Sequence, residues 1–233
     1  MYNSKYLLDI ERNEGRVFVC GDIHGEYDKF MEELIKIDFN FENDLMICTG
    51  DLVDRGPKSL DCFNLLYKDW FISCRGNHEQ FCYESYYNKE VVRNHLGNGG
   101  NWFHWNLSDE VQKVIADRVE EMPYAITLSR NGKRYGFIHA DIHPSITEWS
   151  ELKDNILNED LNENKVTSIW GRSRVRNAMS KNWNNHSDNM INGVDEVFIG
   201  HTVLQNHKKV GNINFIDTGF VYDGYNKLTI IEL

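Results

Sequence analysis

Prolines are few in this sequence, and long apolar runs are absent. Among its 233 residues only 3 are proline and 17 are glycine, so no linker-like or collagen-like composition dominates. No stretch approaches the ~20 apolar residues that a membrane-spanning helix needs. The first residues also lack the basic-then-apolar layout of a signal peptide. We therefore expect no membrane partner.

The cysteines are few as well, and they lack a recognisable spacing. The five of them are Cys20, Cys48, Cys62, Cys74 and Cys82. They form no CxxC pair, so neither a zinc ribbon nor a redox pair is indicated. Cys20, Cys48 and Cys74 lie inside apolar runs, as small core residues do. This usage predicts a reducing compartment, the cytoplasm.

Basic residues are in the minority. Lys and Arg number 25 against 36 Asp and Glu, which gives a formal net charge of −11. Such a chain is repelled by nucleic acid and by anionic lipid, so we expect neither as a partner, although a local cationic pocket is compatible with this balance. Hydrophobic residues make up 41% and charged residues 26% of the chain, which excludes disorder as its global state.

Apolar runs alternate with amphipathic stretches in the first third of the chain. Strands are predicted for residues 16–20, 45–48 and 70–74, and a glycine follows each within two residues. Helical spacing begins around Phe30 after the first strand, and Ser59 is placed to cap a helix after the second. Alternation of strand and helix is typical of βαβ units with a buried parallel sheet.

One further helix and a hairpin are predicted in the middle of the chain. Ser108 is placed to cap the helix. The predicted apolar face of that helix consists of Val111, Val114, Ile115 and Val119. Strands at residues 125–128 and 135–139 flank Asn131-Gly132, the strongest hairpin signal in the chain.

The remaining segments complete the expected architecture. Residues 141–164 and 183–193 are polar, and we expect irregular chain there. Further strands are expected at residues 196–199, 213–216 and 228–231. No change in composition marks a linker, so we predict one α/β domain over residues 1–233, with a mixed sheet or a pair of sheets.

Polar residues flanked by glycine follow each of the early strands. The three motifs are Gly21-Asp22-Ile23-His24-Gly25, Gly50-Asp51-Leu52-Val53-Asp54-Arg55-Gly56 and Gly76-Asn77-His78-Glu79. Two later strands end at His139 and at Gly200-His201. Ligands in open α/β sheets bind at the carboxyl ends of strands. We therefore expect one edge to collect six candidate ligands, namely Asp22, His24, Asp51, Asn77, His139 and His201.

This ligand set predicts a pair of divalent cations. Oxygen and imidazole ligands without thiolate suit Mn²⁺, Fe²⁺, Zn²⁺ or Mg²⁺. Six ligands are too many for one catalytic ion with an open position, and they suit two ions ~3.5–4 Å apart that share a carboxylate. Asp51 is central in the series and is the natural bridge.

A single motif of this kind is more often a turn with a surface histidine. The metal-site hypothesis rests on the coincidence of five strand ends in one chain. The other histidines lack this context, and we expect them to be ordinary surface or core residues. They are His95, His104, His143, His186 and His207.

Together the three motifs resemble those of the phosphoprotein phosphatases in the metallophosphoesterase superfamily, with the bacteriophage lambda phosphatase and its bacterial relatives as the nearest group. The resemblance runs from about Arg16 to the C-terminus and includes residues 97–102 and Trp170-Gly171-Arg172. It implies a mixed β-sandwich flanked by helices, with the active site at the carboxyl ends of the strands.

The resemblance also implies roles for the site residues. The first ion is held by Asp22, His24 and Asp51, and the second by Asp51, Asn77, His139 and His201. His78 is the implied general acid, and Asp54 is its orienting partner. The implied phosphate-binding residues are Arg55, Asn77, Arg172 and, as a further candidate, Arg75.

Two of these arginines leave alternatives open. For Arg75, pairing with a surface carboxylate is an equally good interpretation. For Arg172 the resemblance rests on the neighbouring Trp170, so Arg174 or Arg176 is an alternative phosphate ligand.

The implied chemistry is hydrolysis of a phosphate monoester. The resemblance implies two Mn²⁺ ions, although the ligands also suit Fe, Zn, Ni or Mg. Two divalent ions outweigh Asp22, Asp51 and a bridging hydroxide by about one positive charge, so an acidic chain can attract phosphate locally. The hydroxide attacks phosphorus in line, and His78 protonates the leaving serine or threonine oxygen.

The expected protein is thus a cytoplasmic, monomeric protein-serine/threonine phosphatase that acts on phosphoproteins or phosphopeptides, with phosphotyrosine and phosphohistidine as further candidates. The main alternative is a symmetrical bis(5'-nucleosyl)-tetraphosphatase, which residues 56–60 also resemble. A non-catalytic phosphate-binding protein is a second alternative. A nuclease or cyclic-nucleotide phosphodiesterase fits the ligands but fits the acidic charge less well.

Overall fold

Two β-sheets lie face to face in the structure, and helices cover the outer face of each. The computed structural model describes residues 3–158, 163–184, 186–224 and 227–233. The strands are β1 (Asn3–Ser4), β2 (Leu7–Glu11), β3 (Val17–Cys20), β4 (Leu45–Cys48), β5 (Phe71–Ser73), β6 (Ala125–Arg130), β7 (Lys133–Ile138), β8 (Glu196–Ile199), β9 (Lys208–Val210), β10 (Ile213–Phe215) and β11 (Ile230–Glu232). The α-helices are α1 (Tyr27–Lys36), α2 (Ser59–Phe63), α3 (Asn77–Tyr87), α4 (Val92–Gly97), α5 (Asn101–Asn106), α6 (Asp109–Glu120), α7 (Trp149–Leu157), α8 (Glu163–Trp170) and α9 (Ser173–Ser180).

The smaller sheet carries the three glycine-flanked motifs. Its strand order is β11-β3-β4-β5. β3 pairs in parallel with β4, and β4 pairs in parallel with β5. Because parallel strands end at the same edge of a sheet, the three motifs leave the sheet side by side.

The larger sheet brings the two later histidines to the same place. Its order is β1-β2-β6-β7-β8-β10-β9. β7, β8 and β10 are mutually parallel neighbours, so the residues that follow them share one edge. The Gly200 amide donates to the carbonyl of His139 at 2.8 Å, and the His201 amide donates to the Asp22 carboxylate at 3.1 Å. The first of these contacts joins the ends of β7 and β8 within the larger sheet, and the second joins the carboxyl edges of the two sheets.

Alternation along the strands divides the core into three apolar layers. Val17 and Val19 of β3 face the larger sheet, where they belong to one cluster with Phe137 and Phe198. Phe18, between them in sequence, faces the helices of the other side. A third cluster packs α7, α8 and α9 on the outer face of the larger sheet. Both faces of β3 are therefore buried, as in a sheet covered on two sides.

The expected sandwich of mixed sheets flanked by helices is confirmed. The early strands begin and end within one residue of the predicted bounds. The hairpin is also confirmed, since Arg130 pairs with Lys133 across Asn131-Gly132. Both turn residues have positive φ, 51° and 79°, as a two-residue type I′ turn requires.

Two local predictions were wrong because tertiary contacts outweigh the local signals. Ser59 is the first residue of α2 and does not cap it; its hydroxyl instead accepts a hydrogen bond from the Asp54 amide at 3.0 Å. In α6, Val111 and Val114 are 39% and 57% exposed. The buried residues of that helix are Ile115, Ala116 and Val119.

The polar stretch 141–164 is also more regular than expected. It contains α7 and the beginning of α8, because Trp149, Leu152 and Ile156 form a buried face on the larger sheet. Residues 159–162 lie outside the described part of this stretch. Within the described residues, no helix is both long enough and apolar enough to cross a membrane.

Candidate metal centre and active site

Asp51 lies at the centre of the polar edge. Its Oδ2 is 3.4 Å from His139 Nε2 and 3.6 Å from His24 Nε2. Two groups of side chains in the described residues have ligand atoms close enough to hold a cation, and Asp51 belongs to both. One is His24, Asp51 and His78, and the other is Asp51, His139 and His201. The carboxylate thus has the position that a bridging ligand needs.

The other two predicted ligands join the same cluster. Asn77 Oδ1 is 3.0 Å from His139 Nε2. The Asp22 carboxylate accepts from the His201 amide and is 3% exposed. Burial raises the pKa of Asp22 well above its usual value, and the charges of Asp217 and Asp51 raise it further. Carboxylates this crowded favour a nearby cation.

The imidazoles present nitrogen lone pairs to the cluster. His24 Nδ1 lies 2.9 Å from the Val53 carbonyl, and His139 Nδ1 lies 3.1 Å from the Thr49 carbonyl. A carbonyl accepts, so each Nδ1 carries the proton and each Nε2 presents a lone pair that suits a metal; the lone pair on His24 accepts from the Arg55 guanidinium. Burial lowers the pKa of His24 to about 3, so this ring is neutral at pH 7.

His201 provides the clearest test of whether a cation fits. Its Nε2 is buried and has no hydrogen-bond partner among the described residues. Burial, with the charge of His139, lowers the pKa of His201 to about 2. A buried polar atom without a partner is costly, and His139 Nε2 faces the acceptor oxygens of Asn77 and Asp51. The donor set therefore fits bound divalent cations.

The backbone at this edge is strained in a way that aims the ligands. His24, Asp51 and His201 have φ values of 48°, 54° and 64°, a region that non-glycine residues rarely adopt. Glycine is needed beside them, because a Cβ on Gly76 would lie 2.2 Å from Asp51 Oδ1 and one on Gly200 would lie 2.2 Å from Asp22 Oδ1.

Glu79 holds the second motif, a role that the sequence did not reveal. It is fully buried, and its carboxylate accepts from the amides of Asp51, Leu52 and Val53 at 3.0, 2.8 and 3.3 Å, and from Gly76 at 2.9 Å. Burial and the charge of Asp51 raise the pKa of Glu79 to about 7. Its place after His78 was visible, but its partners in the second motif are 26 to 28 residues away.

His78 stands beside the ligand cluster with Asp54 behind it. His78 Nδ1 donates to Asp54 Oδ2 at 2.7 Å. Burial lowers the pKa of His78, but Asp51 and the hydrogen bond to Asp54 outweigh that effect, so the net shift is upward. For Asp54, burial raises the pKa. The hydrogen bonds from His78 and His95 outweigh burial here too, and they lower the pKa to about 2.

A cleft of about 320 Å³ lies in front of this cluster, and two arginines line it. Arg55 Nη2 donates to His78 Nε2 at 2.8 Å, and its guanidinium lies over the Tyr222 ring. Arg172 Nη1 donates to Thr202 Oγ1 at 2.8 Å and to the His201 carbonyl at 3.2 Å. Tyr222 and Thr202 had no signal in the sequence, because each reaches the cleft only through the fold.

The other arginine candidates lie elsewhere. Arg174 is buried and donates to backbone carbonyls, among them those of Ile142 and Ile146. Arg176 is exposed and outside the cleft lining. Of these three, the structure thus brings Arg172 to the cleft.

Arg75 is a correction to the expected phosphate-binding set. Its guanidinium donates to the carbonyls of Glu120 and Met122 and to the hydroxyl of Tyr124. It is 3% exposed and does not line the cleft. Arg75 follows β5, and its side chain points toward the segment before β6, because consecutive residues point to opposite sides of an extended chain. The alternative, pairing with a surface carboxylate, is not seen either: the partners of its guanidinium among the described residues are Gln80, Tyr124 and the two carbonyls.

Comparison with known proteins agrees with this geometry. Residues 15–205 match the sequence profile of the calcineurin-like phosphoesterases. A solved structure provisionally assigned as a diadenosine tetraphosphatase superposes with a TM-score of 0.66, covering 98% of this chain and 97% of that chain. Its identity is 17%, so this likeness shows the fold alone.

Three curated proteins are similar in sequence. Serine/threonine-protein phosphatase 1 of Salmonella typhimurium is 30% identical over 95% of this chain and 94% of that protein. Serine/threonine-protein phosphatase 2 of Escherichia coli is 32% identical over 94% of each. The symmetrical bis(5'-nucleosyl)-tetraphosphatase of Wigglesworthia glossinidia brevipalpis is 43% identical, but over only 27% of this chain and 24% of that protein.

Proposed function

Since the chain belongs to the calcineurin-like phosphoesterase family, we propose that it is a metal-dependent protein-serine/threonine phosphatase. The observation that carries this proposal is the sharing of Asp51 by two cation-sized ligand groups, with His78 and two arginines facing the same cleft. Two relatives named as serine/threonine phosphatases cover nearly the whole chain, which supports a phosphoprotein substrate.

The metal ions would be held by the six buried side chains at the strand ends. Asp22, His24 and Asp51 would bind the first ion, and the second would be bound by Asp51 with the three ligands Asn77, His139 and His201. When bound, the ions supply Lewis acidity that lowers the pKa of water toward ~7 and so provides a nucleophile for phosphorus. We propose Mn²⁺ as the native metal, with Fe, Zn, Ni and Mg as competitors.

Arg55 and Arg172 would bind and orient the phosphoryl group. Arg55 reaches the cleft from the loop after β4 and Arg172 from the residue before α9, so the phosphate oxygens would be held on two sides. Arginine suits this role because its planar donors match phosphate oxygens in pairs. The Asn77 amide would contact a phosphate oxygen as well. These groups concentrate positive charge in a chain whose net charge is −11.

His78 would protonate the leaving oxygen. Its Nδ1 donates to Asp54, so Nε2 is the nitrogen that would carry the transferable proton, once Arg55 binds the phosphoryl group instead of donating to Nε2. The upward shift in the pKa of His78 increases the share of the imidazolium, the form that can act as an acid. A serine or threonine alkoxide needs this proton, because it is a poor leaving group.

A substrate comparison tests the proposal. We expect the Mn²⁺-loaded protein to release phosphate from a phosphoserine peptide, to lose that activity with EDTA and to regain it with added Mn²⁺. Diadenosine tetraphosphate should be a poor substrate by kcat/KM. The reverse preference would replace our proposal with the tetraphosphatase, which the 65-residue match supports. Metal binding without turnover of either substrate would favour a non-catalytic phosphate-binding protein.

We also propose that the protein works as a monomer in a reducing cytoplasm. All five cysteines are free and buried, which supports a compartment where disulfides are not formed. Sedimentation of the metal-loaded protein tests the monomeric state.

A further inference from the structure

The buried carboxylate of Asp54 receives hydrogen bonds from three side chains. His78 Nδ1 donates to Oδ2 at 2.7 Å. On the other oxygen, Trp102 Nε1 donates to Oδ1 at 2.6 Å and His95 Nε2 lies 3.2 Å from it. Asp54 has no solvent exposure, so these donors replace water around both oxygens.

His95 is held so that its Nε2 points at Asp54. Its Nδ1 lies 3.0 Å from Ser85 Oγ and 3.0 Å from His104 Nε2. Its ring stacks on Phe81, with 17° between the planes. A Cβ on Gly100 would lie 2.2 Å from His95 Cδ2, so glycine at that position leaves room for the ring. Ring rotation is therefore blocked on several sides.

Trp102 approaches from a different helix. It lies in α5, whereas His95 lies in α4, and the two residues are 48 and 41 positions from Asp54 in sequence. A carboxylate bonded on one oxygen only can rotate about its Cβ–Cγ bond. Donors on the second oxygen remove that freedom and fix the direction of the His78 ring.

Building on the phosphatase function proposed above, we propose that Trp102 and His95 are positioning residues, which fix the Asp54 carboxylate and thereby orient His78 for proton donation. Neither residue faces the cleft or the six metal ligands. Their loss should thus affect the step that needs a proton from His78 and should leave metal binding intact.

Conservative variants separate this role from simple packing. Trp102→Phe keeps an aromatic ring and removes the Nε1–H donor. His95→Leu removes the second donor, and His95→Gln keeps an N–H that can reach Asp54. Trp105→Phe is the matched control, because Trp105 lies in the same helix and is 70% exposed.

The activity measurement compares two leaving groups on the Mn²⁺-loaded full chain. For Trp102→Phe and His95→Leu we expect kcat on a phosphoserine peptide to fall about tenfold, a part of the roughly 10²–10⁴-fold that general acid catalysis supplies. On p-nitrophenyl phosphate kcat should stay within about twofold, because that leaving group needs little protonation. His95→Gln should regain most of the loss. Equal losses on both substrates would overturn the proposal.

An NMR measurement makes the test independent of turnover. In protein with ¹⁵N-labelled histidine, the Nδ1–H signal of His78, assigned with His78→Asn, should shift in Trp102→Phe and keep its position in Trp105→Phe. An unmoved signal in Trp102→Phe overturns the positioning role whatever the substrate is. A shifted signal in a protein that hydrolyses neither phosphopeptide nor p-nitrophenyl phosphate would overturn the proposed function and keep the positioning role.

Discussion

The apolar layer between the sheets and the polar edge at their carboxyl ends are built by the same strands, yet they bury opposite kinds of group. Val17 and Val19 of β3 are fully buried against the larger sheet. A few residues later, Asp22 and His24 are almost as buried, at 3% and 4% exposure. Apolar burial stabilises by roughly 25 cal/mol per Å², whereas a polar group pays for burial unless it is bonded.

This difference indicates that stability and chemistry are separated within a few residues. The apolar layer needs only complementary shape. The edge needs a specific partner for each atom, such as Glu79 for the amides around Asp51, and it keeps unfavourable φ values at its ligands. Substitutions should therefore affect activity at the edge and unfolding free energy between the sheets.

The largest effect on activity is expected for Asp51→Asn. Asp51 belongs to both ligand groups, so occupancy of both metal sites should fall together. Activity should fall by roughly 10³-fold or more, because metal ions supply several kcal/mol of transition-state stabilisation. Metal content and kcat/KM measure the two effects, and Asp61→Asn, an exposed position in α2, is the control. Loss of a single ion would contradict the bridging position.

His78→Asn should come next. The variant should retain its metals and lose roughly 10²–10⁴-fold in kcat on alkyl phosphates. The loss on p-nitrophenyl phosphate should be far smaller, because its leaving group needs little protonation. Steady-state kinetics on both substrates, with metal analysis, check this expectation, and equal losses would reject the general-acid role.

Leu128→Ala tests the apolar layer. Leu128 is fully buried between the sheets, in β6, which runs antiparallel to β7 and so ends away from the metal cluster. We expect the free energy of unfolding to fall by about 2–5 kcal/mol. Urea denaturation measures that loss, while kcat per folded molecule should match the unchanged protein. A fall in metal content at temperatures where the variant stays folded would show that the apolar layer and the metal site are not independent.

The smallest effect is expected for Gly132→Ala in the hairpin. Gly132 has φ 79°, and an added Cβ meets no atom within 4 Å, so only the backbone conformation opposes the change. Destabilisation should be about 1 kcal/mol, with activity unaffected. A thermal unfolding curve measures the loss of stability. A loss well above about 1 kcal/mol would contradict the expectation that backbone conformation alone opposes the substitution.

The smaller sheet was predictable from sequence to within one residue at its parallel strands. Each of those strands is short, mostly apolar and followed by a glycine motif, so local signals and the fold agree. The three motifs also predicted that their ligands and His78 lie together, because neighbouring parallel strands end at one edge of a sheet.

Predictions failed where one residue depends on a distant partner. Arg75 leaves the same strand end as the ligands, but the carbonyls of Glu120 and Met122 bind it. His95 was expected to be an ordinary surface or core histidine, and the packing of α4 against α3 brings it to Asp54. No periodicity or motif in the chain encodes such a contact.

The amino-acid order by itself determined which chemical groups are present. It set which oxygen and nitrogen ligands follow each strand, and it placed a histidine and an aspartate beside them as an acid–base pair. This much is local, since a motif and the strand before it are read together. Only the tertiary structure decided which atoms meet. It joined the two sheets so that His201 reaches Asp22, turned Arg75 away, and set Trp102 and His95 behind Asp54, because those distances depend on packing between segments that are far apart along the chain.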